Sequence, residues 1–213
     1  MIIIGAGGFA KEVLEIVYRQ YGKEDIRFYD DYTVEGPRLL YDKFPVITSL
    51  EEAAGYIQKN SARFVLGLGN PLYRYALHRK FVGIGGIPFS IISDDAMIGS
   101  FGNSIGEGVT IMQGVKITNS VHIGAGCLIN LNCTIGHGSR IGDFCELSPG
   151  VHISGHCETG DFCNIGTNAV LLPGIKLGKN VIIGAGAVVT TNMPDNVTAV
   201  GIPARITRNV KEE

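Results

Sequence analysis

His137 is the side chain whose type and surroundings best suit proton-transfer chemistry in this sequence. It lies in the segment Ile135–Gly138, between two glycines that leave its imidazole unobstructed. A neutral imidazole that titrates near neutral pH is a natural general base. An exposed histidine can equally be a solvated surface residue with no further role. The sequence leaves these two interpretations open.

A second candidate site lies at the N-terminus. Residues Gly5–Ala10 fit the pattern G-x-G-x-x-A after a short apolar strand, and Asp30 and Asp31 follow about twenty residues later. Glycines there let the backbone approach a phosphate, and carboxylates can accept hydrogen bonds from ribose hydroxyls or a base N–H. Gly69 and Arg74 point at the same crevice. The pattern predicts a nucleotide site. The alternative is a tight turn used only for packing.

The elements that position His137 follow a period of six. From Ile105 to Val189 every sixth residue is Ile, Leu or Val, with Thr159 as the single departure. A period of six fits neither a helix nor a simple strand and indicates a solenoid. The fourth residue of most hexads is Gly or Asn, which tolerate positive φ and so turn a corner. Three hexads would form one triangular coil of about 18 residues, which gives about five coils.

The register of the hexads assigns side chains to the inside or the outside of the solenoid. All five cysteines occupy the fifth position of a hexad, so we expect them to fill the narrow interior as small apolar residues. A disulfide or metal cluster is the alternative, but no CxxC spacing occurs and the number is odd. The same register points His137 outward at a corner. It places His156 one coil above and beside His137.

Charge and length exclude several classes of protein. The chain has 213 residues, of which 45% are hydrophobic, and a net charge of −2. This near-neutral balance without a basic patch argues against nucleic-acid binding. No segment is long and apolar enough for a membrane span, and the N-terminus is too short and uncharged for a signal peptide. We therefore expect a cytoplasmic location.

The composition changes near residues 90 to 97. All eight tyrosines lie at or before Tyr75, and glycine is denser after Gly99. Before this seam, strands and helices alternate, which predicts a small Rossmann-like parallel sheet of about four strands. A full NAD domain is not expected, because the repeats begin too early in the chain. The predicted strands cover 2–4, 26–29, 64–67 and 89–92, and the predicted helices cover about 10–20, 50–58 and 72–82.

The hexads and the segment Val200–Arg205 resemble those of left-handed β-helix (hexapeptide-repeat) acyltransferases. The N-terminal Gly5–Lys11 and Phe28–Asp31 make the chain similar to bacterial acetyltransferases that act on nucleotide-linked 4-amino sugars, a group related to sialic-acid O-acetyltransferase-like proteins. The resemblance implies a mainly β fold, with a left-handed parallel β-helix preceded by a small α/β Rossmann-like domain. The implied domains are a nucleotide-sugar-binding domain at 1–92, the β-helix at 93–194 and a C-terminal cap at 195–213.

The resemblance also implies an activity and an assembly. The activity is transfer of acetyl from acetyl-CoA to the amino group of the sugar, by direct attack in a ternary complex, without a metal. The assembly is a homotrimer, with acetyl-CoA in a groove between neighbouring solenoids. His137 matches the catalytic base and Asn130 a polar residue near it. The CoA-lining positions match Glu146, Gly155, Thr167 and Ala185. The nucleotide positions match Gly7, Gly8, Phe9, Asp30, Asp31 and Gly69.

Two residues depart from the family pattern. The family has an acidic residue just after the catalytic histidine, where this chain has Gly138. It has a histidine in the glycine loop, where this chain has Phe9. The first departure slightly favours an amine acceptor, because a hydroxyl needs more help from the base.

Three other functions stay open from the sequence. O-acetylation of a sugar of the sialic-acid type would use the same chemistry. A metal enzyme like the γ-carbonic anhydrases would need three converging histidines, and His152 and His156 are four positions apart, whereas that class pairs histidines five apart. A trimeric scaffold or nucleotide-sensing module would not bind acetyl-CoA.

Overall fold

The computed structural model describes residues 1–22, 24–32 and 38–210. The chain forms two compact units. The first comprises Met1–Gly69 and Tyr73–Ile91, and the second comprises Asn70–Leu72 and the chain from Ile92 onward. The helices of the described residues include none that is long and apolar enough to cross a membrane.

The N-terminal unit is an α/β sheet with helices between its strands. Its elements are β1 Ile2–Ile4, α1 Gly8–Tyr21, β2 Arg27–Tyr29, β3 Leu39–Leu40, β4 Phe44–Ile47, α2 Leu50–Lys59, β5 Arg63–Leu66, α3 Pro71–Gly83 and β6 Ile87–Pro88. The strand order is β3-β4-β2-β1-β5-β6. β1 is central and pairs in parallel with β2 and β5. β1 is fully buried, and α1 covers the sheet with a face that includes Ala10, Val13 and Val17.

The sheet has six strands, so the predicted number of four is wrong. The missed strands β3 and β4 form an antiparallel hairpin in which Leu39 pairs with Pro45. Tyr41 and Asp42 make its turn with positive φ values of 53° and 51°. Hairpin turns of this kind are usually recognised in a sequence by Asn-Gly or Asp-Gly, and this turn contains no glycine. Of the predicted strand at 89–92, only Ile91–Ile92 forms a strand, and it belongs to the solenoid and not to this sheet.

The C-terminal unit is a left-handed parallel β-helix built mostly from two-residue strands, so the predicted fold class is confirmed. The strands are β7 Ile91–Ile92, β8 Met97–Ile98, β9 Ser104–Ile105, β10 Thr110–Ile111, β11 Lys116–Ile117, β12 His122–Ile123, β13 Leu128–Ile129, β14 Thr134–Ile135, β15 Arg140–Ile141, β16 Glu146–Leu147, β17 His152–Ile153, β18 Glu158–Thr159, β19 Asn164–Ile165, β20 Val170–Leu171, β21 Lys176–Leu177, β22 Ile182–Ile183, β23 Val188–Val189, β24 Val197–Val200 and β25 Arg205–Asn209. The last two pair in antiparallel fashion.

Three sheets form the faces of the prism. The first face holds β7, β10, β13, β16, β19, β22, β24 and β25, the second holds β8, β11, β14, β17, β20 and β23, and the third holds β9, β12, β15, β18 and β21. Each strand therefore pairs with the strand one coil away. On the second face, for example, Thr134 pairs with His152, which pairs with Val170.

The solenoid begins earlier than the run of hexads. Strands β7 and β8 already belong to its first and second faces. The step from Ile98 to Ile105 is one residue longer than a hexad, and this insertion breaks the period in the sequence. The pairing continues across it, since Ile98 pairs with Ile117 and Ile105 with Ile123. The prism is therefore longer than the five predicted coils.

The corners and the interior follow the register. All five cysteines are buried and carry free thiols, so their predicted place inside the prism is confirmed. The fourth hexad position has positive φ even where it is neither Gly nor Asn, as at Ser120, Phe144 and His156. The second position is often glycine because successive coils approach closely there. A Cβ on Gly136, for instance, would lie 2.6 Å from the backbone N of Gly155.

Candidate active site

A cleft in the N-terminal unit lies where the central parallel strands end. Its volume is about 760 Å³. In open α/β sheets, ligands bind beyond the carboxyl ends of the strands, where the strand order reverses on either side of β1. All six residues predicted to contact the nucleotide line this cleft. The lining consists of Gly5, Ala6, Gly7, Gly8, Phe9, Tyr29, Asp30, Asp31, Tyr32, Gly67, Leu68, Gly69, Tyr73, Ala76 and Leu77.

The small residues of the glycine loop divide into two groups by what surrounds them. A Cβ on Gly5 would lie 2.9 Å from the Gly67 carbonyl oxygen, and one on Gly67 would lie 2.9 Å from the Cβ of Ala10. These three residues are small because β1, α1 and β5 pack closely. Gly7 and Gly8 differ, since a Cβ on either would meet nothing within 4 Å. Close packing therefore explains why residue 5 is a glycine, but it does not explain the glycines at Gly7 and Gly8.

Backbone access and helix polarity make the start of α1 suitable for a phosphate. Gly7 precedes the helix in an extended conformation, and the first turn carries no acidic side chain. The N-terminus of a helix presents unsatisfied N–H groups and a partial positive charge, which favour an anion. Gly7 and Gly8 leave the approach to these groups open.

The two aspartates after β2 have different surroundings. Asp31 Oδ2 accepts hydrogen bonds from Lys80 Nζ at 2.6 Å and from the Tyr29 hydroxyl at 2.7 Å. Burial alone would raise the pKa of Asp31, but these two donors outweigh it and the pKa lies below its usual value. Burial, together with Asp31, raises the pKa of Tyr29 to about 12. Asp31 is therefore held as an anion. Asp30 Oδ1 accepts from the backbone N of Tyr32 at 3.0 Å.

Two exposed tyrosines on the cleft wall were missed from the sequence. Tyr32 and Tyr73 line the cleft and are 91% and 66% exposed, and Phe9 lies beside them in the lining. Exposed aromatic faces of this kind suit stacking against a base or a sugar. Arg74, which the sequence placed at the crevice, is instead buried and donates from NH1 to the Gly69 carbonyl at 2.7 Å. This hydrogen bond fixes the loop, and the Arg74 side chain does not line the cleft.

His137 lies at the corner of the prism that follows the second face, and its side chain is exposed, as predicted. Its Cε1 and Nε2 both lie 2.8 Å from the position that a Cβ on Gly155 would take, so the ring lies across that glycine. His156 lies one coil above, and its backbone N donates to the His137 carbonyl at 2.8 Å. The two imidazole rings meet edge to face, with centroids 4.8 Å apart and planes at 83°.

The other histidines of the second and third faces are engaged along the strands. His152 Nδ1 lies 2.9 Å from Thr134 Oγ1, and His122 Nδ1 lies 2.6 Å from Ser104 Oγ. Among the described residues, no three His, Cys, Asp or Glu side chains are grouped so that they could hold a metal ion.

The remaining solenoid residues that the resemblance implied lie elsewhere on the prism. Asn130, Thr167 and Ala185 lie at the corner that follows the first face, after β13, β19 and β22, and Glu146 lies in strand β16 of that face. Asn130 is 8% exposed, and its Oδ1 accepts from the backbone N of Leu131 at 2.7 Å. Only Gly155 shares a corner with His137. One chain therefore divides these residues between two edges of the prism.

Comparison with known proteins finds matches for both units. A family profile described as the PglD N-terminal domain matches residues 1–81, and one described as the bacterial transferase hexapeptide (six repeats) matches residues 156–191. PerB from Caulobacter crescentus, solved with CoA and GDP-perosamine, is 30% identical with a TM-score of 0.88, over 97% of this chain and 96% of that one.

Two further relatives extend the comparison. The acetyltransferase domain of PglB from Neisseria gonorrhoeae FA1090, solved with acetyl coenzyme A, is 27% identical with a TM-score of 0.85, over 97% of this chain and 98% of that one. The galactoside O-acetyltransferase of Lactococcus lactis subsp. lactis (strain IL1403) is 45% identical over 47 residues, which are 22% of this chain and 23% of that protein. The match thus spans about a quarter of that curated relative. By its full-length similarity to PerB, the chain belongs to the PglD/NeuD-like hexapeptide-repeat sugar N-acetyltransferases.

Proposed function

We propose that this protein transfers the acetyl group of acetyl-CoA to the 4-amino group of a nucleotide-linked amino sugar. The observation that carries this proposal is the similarity, over nearly all of both chains, to PerB, which was solved with CoA and GDP-perosamine. The N-terminal cleft and the exposed His137 supply the two sites that such a reaction needs.

The cleft suits the nucleotide part of the acceptor. The open backbone at Gly7 and Gly8 and the N-terminus of α1 would take the phosphates. The carboxylate of Asp30 would accept from a ribose hydroxyl or a base N–H. Asp31 is occupied by Lys80 and Tyr29, so we assign it to holding this wall of the cleft in place. Phe9 and Tyr73 would contact the flat faces of the ligand.

The chemistry requires alignment and one proton transfer. A thioester is already activated and an amine is a good nucleophile, so no Ser or Cys nucleophile is needed. The amine nitrogen bonds to the acetyl carbonyl carbon while His137 removes its proton. The C–S bond then breaks, and CoA leaves as a thiolate that takes up a proton. The backbone N–H of Gly155, which lies beside the His137 ring, is the candidate donor to the tetrahedral oxyanion.

The division of residues between two corners supports a site shared by two copies of the chain. The imidazole of His137 and the CoA-lining Thr167 and Ala185 lie on different edges of one prism. A ligand that reaches both must therefore lie between neighbouring prisms. A closed cyclic assembly gives every copy the same pair of neighbours. Of such assemblies we propose a homotrimer, which is the one that the family resemblance implies. We place this assembly in the cytoplasm, because five free thiols are typical of a reducing compartment.

A panel of nucleotide 4-amino sugars tests the acceptor class directly. The protein is incubated with acetyl-CoA and UDP-, dTDP- or GDP-linked 4-amino sugars, and products are read by mass for an acetyl increment. Matched sugars with a hydroxyl in place of the amine test O-acetylation, the second candidate. Acetylation of only the hydroxyl sugars would overturn the amine assignment. Calorimetry that shows no acetyl-CoA binding would instead favour a scaffold.

A further inference from the structure

We propose that His156 is a positioning residue for the imidazole of His137. This proposal rests on the proposed function, because it concerns how the general base is held. The two side chains are exposed at one corner in successive coils, and their rings meet edge to face at 4.8 Å. Both rings lie on the surface of the prism, outside its packed interior.

The contact is reciprocal and depends on two glycines. A Cβ on Gly155 would lie 2.8 Å from His137 Cε1 and Nε2, so the His137 ring covers the residue just before His156. A Cβ on Gly138 would lie 2.6 Å from His156 Nδ1, so the His156 ring covers the residue just after His137. Each ring thus occupies the space that a side chain beside the other histidine would need. Gly138 is the position at which the family resemblance led us to expect an acidic side chain.

The corner itself does not require a histidine at position 156. His156 has a φ of 59°, and the equivalent corner residues Asn168, Phe144 and Phe162 have φ values of 57°, 53° and 60°. The solenoid therefore accepts an amide or a benzyl side chain at the fourth position of a hexad. Phe144 and Phe162 also stack with each other, with centroids 5.9 Å apart, so a phenyl ring at such a corner can contact its neighbour one coil away.

A ring against His137 matters because an exposed imidazole would otherwise sample several rotamers. An edge-to-face aromatic contact biases such a distribution by about two- to tenfold. The orientation of the base limits the reaction step and not the binding of either substrate. The effect should therefore appear in kcat and leave KM almost unchanged.

Two substitutions separate ring contact from every other property of His156. His156→Phe keeps a ring that the corner tolerates and removes the nitrogen atoms. His156→Asn keeps a polar corner residue and removes the ring. With acetyl-CoA and the acceptor from the panel above, we expect kcat of His156→Asn to fall by about two- to tenfold with KM changed less than about twofold. We expect His156→Phe to stay within about twofold of the unsubstituted protein.

The opposite results overturn the proposal. It is wrong if His156→Asn keeps full kcat, or if His156→Phe loses as much as His156→Asn. A second readout needs no turnover: the NMR signal of the His137 Cε1 proton should lose its ring-current shift in His156→Asn and keep one in His156→Phe. If the shift is already absent in the unsubstituted protein, the contact does not exist in solution. Failure of the acetyl-transfer proposal is seen separately, as no acetyl increment on any sugar of the panel, whereas normal turnover in His137→Ala would refute the role of His137 as the base.

Discussion

Replacement of Gly155 by alanine should slow turnover without weakening the fold. The new Cβ would lie 2.8 Å from His137 Cε1 and Nε2, whereas carbon atoms in contact prefer about 3.5 Å. The ring must therefore retreat by about 0.7 Å, and a misplacement of about 1 Å can cost about a hundredfold in rate. We expect kcat to fall by about ten- to a hundredfold. The backbone at Gly155 is not left-handed, so alanine itself adds no strain.

The assay is steady-state acetylation, combined with a double-variant test. If Gly155→Ala acts by moving the base, adding it to His137→Ala should not lower kcat further, because the group through which it acts is gone. A further loss of about tenfold in that background would mean that the alanine disturbs CoA or the oxyanion donor, and would refute the reasoning. Unchanged kcat in the single variant would refute it as well.

Gly160→Ala is the matched control for the fold. Its Cβ would meet only backbone, with the Lys179 N at 2.6 Å and the Gly178 carbonyl carbon at 2.7 Å. Rigid backbone cannot retreat as a side chain does, and overpacking of this kind costs about 1–3 kcal/mol. The free energy of unfolding should therefore fall, while kcat per folded molecule stays unchanged. Gly155→Ala is expected to lower kcat and leave stability unchanged, and Gly160→Ala is expected to do the reverse. The two variants together therefore separate catalysis from stability.

Three shorter predictions follow from the two sites. His137→Ala should lower kcat at least about a hundredfold with an unchanged circular-dichroism spectrum and melting temperature. Lys80→Ala should destabilise the fold near pH 7 by no more than about 1 kcal/mol, since both partners of the Asp31 pair are about one-third exposed. The pair lowers the pKa of the Asp31 carboxyl. Its contribution to the free energy of unfolding therefore exists above the unfolded pKa of about 3.9 and is lost as pH falls through the folded pKa. Urea melts of Lys80→Ala and the unsubstituted protein should converge in acid. Gly7→Ala should raise KM for the nucleotide sugar at unchanged stability, whereas Gly67→Ala should lower the melting temperature, because only the second Cβ meets Ala10.

The solenoid was predictable because every hexad repeats the same pattern of residue types. The register alone placed all five cysteines inside and put His137 and His156 at the same corner in successive coils. The hexad period alone does not reach the beginning of the solenoid, since one inserted residue between Ile98 and Ile105 interrupts it although the strands before it pair normally. Positive φ at Phe144 and Phe162 was also hidden, because the corner of the hexad requires a conformation that these residue types rarely adopt.

The N-terminal unit was harder to predict because its signals are local. The glycine loop predicted the cleft from a short stretch of sequence. In the structure, Gly5, Gly67 and Ala10 pack β1 against α1 and β5. The β3–β4 hairpin had no such signal, as its turn uses Tyr41 and Asp42. The different surroundings of Asp30 and Asp31 depend on Lys80, which comes from α3 and is distant in sequence. Sequence spacing could not distinguish the two carboxylates.

The separation of His137 and Asn130 on one prism leads to a test by mixing subunits. If the site combines the His137 corner of one copy with the Asn130 corner of another, His137→Ala and Asn130→Ala are each inactive for different reasons. Co-expressed in equal amounts, they should form mixed assemblies in which about one quarter of the sites combine two unsubstituted corners. Activity should then reappear at about a quarter of the normal level. A site within one chain would give no recovery, because every chain would carry one defect. Absence of recovery in demonstrably mixed assemblies would therefore place Asn130 outside the site that His137 serves.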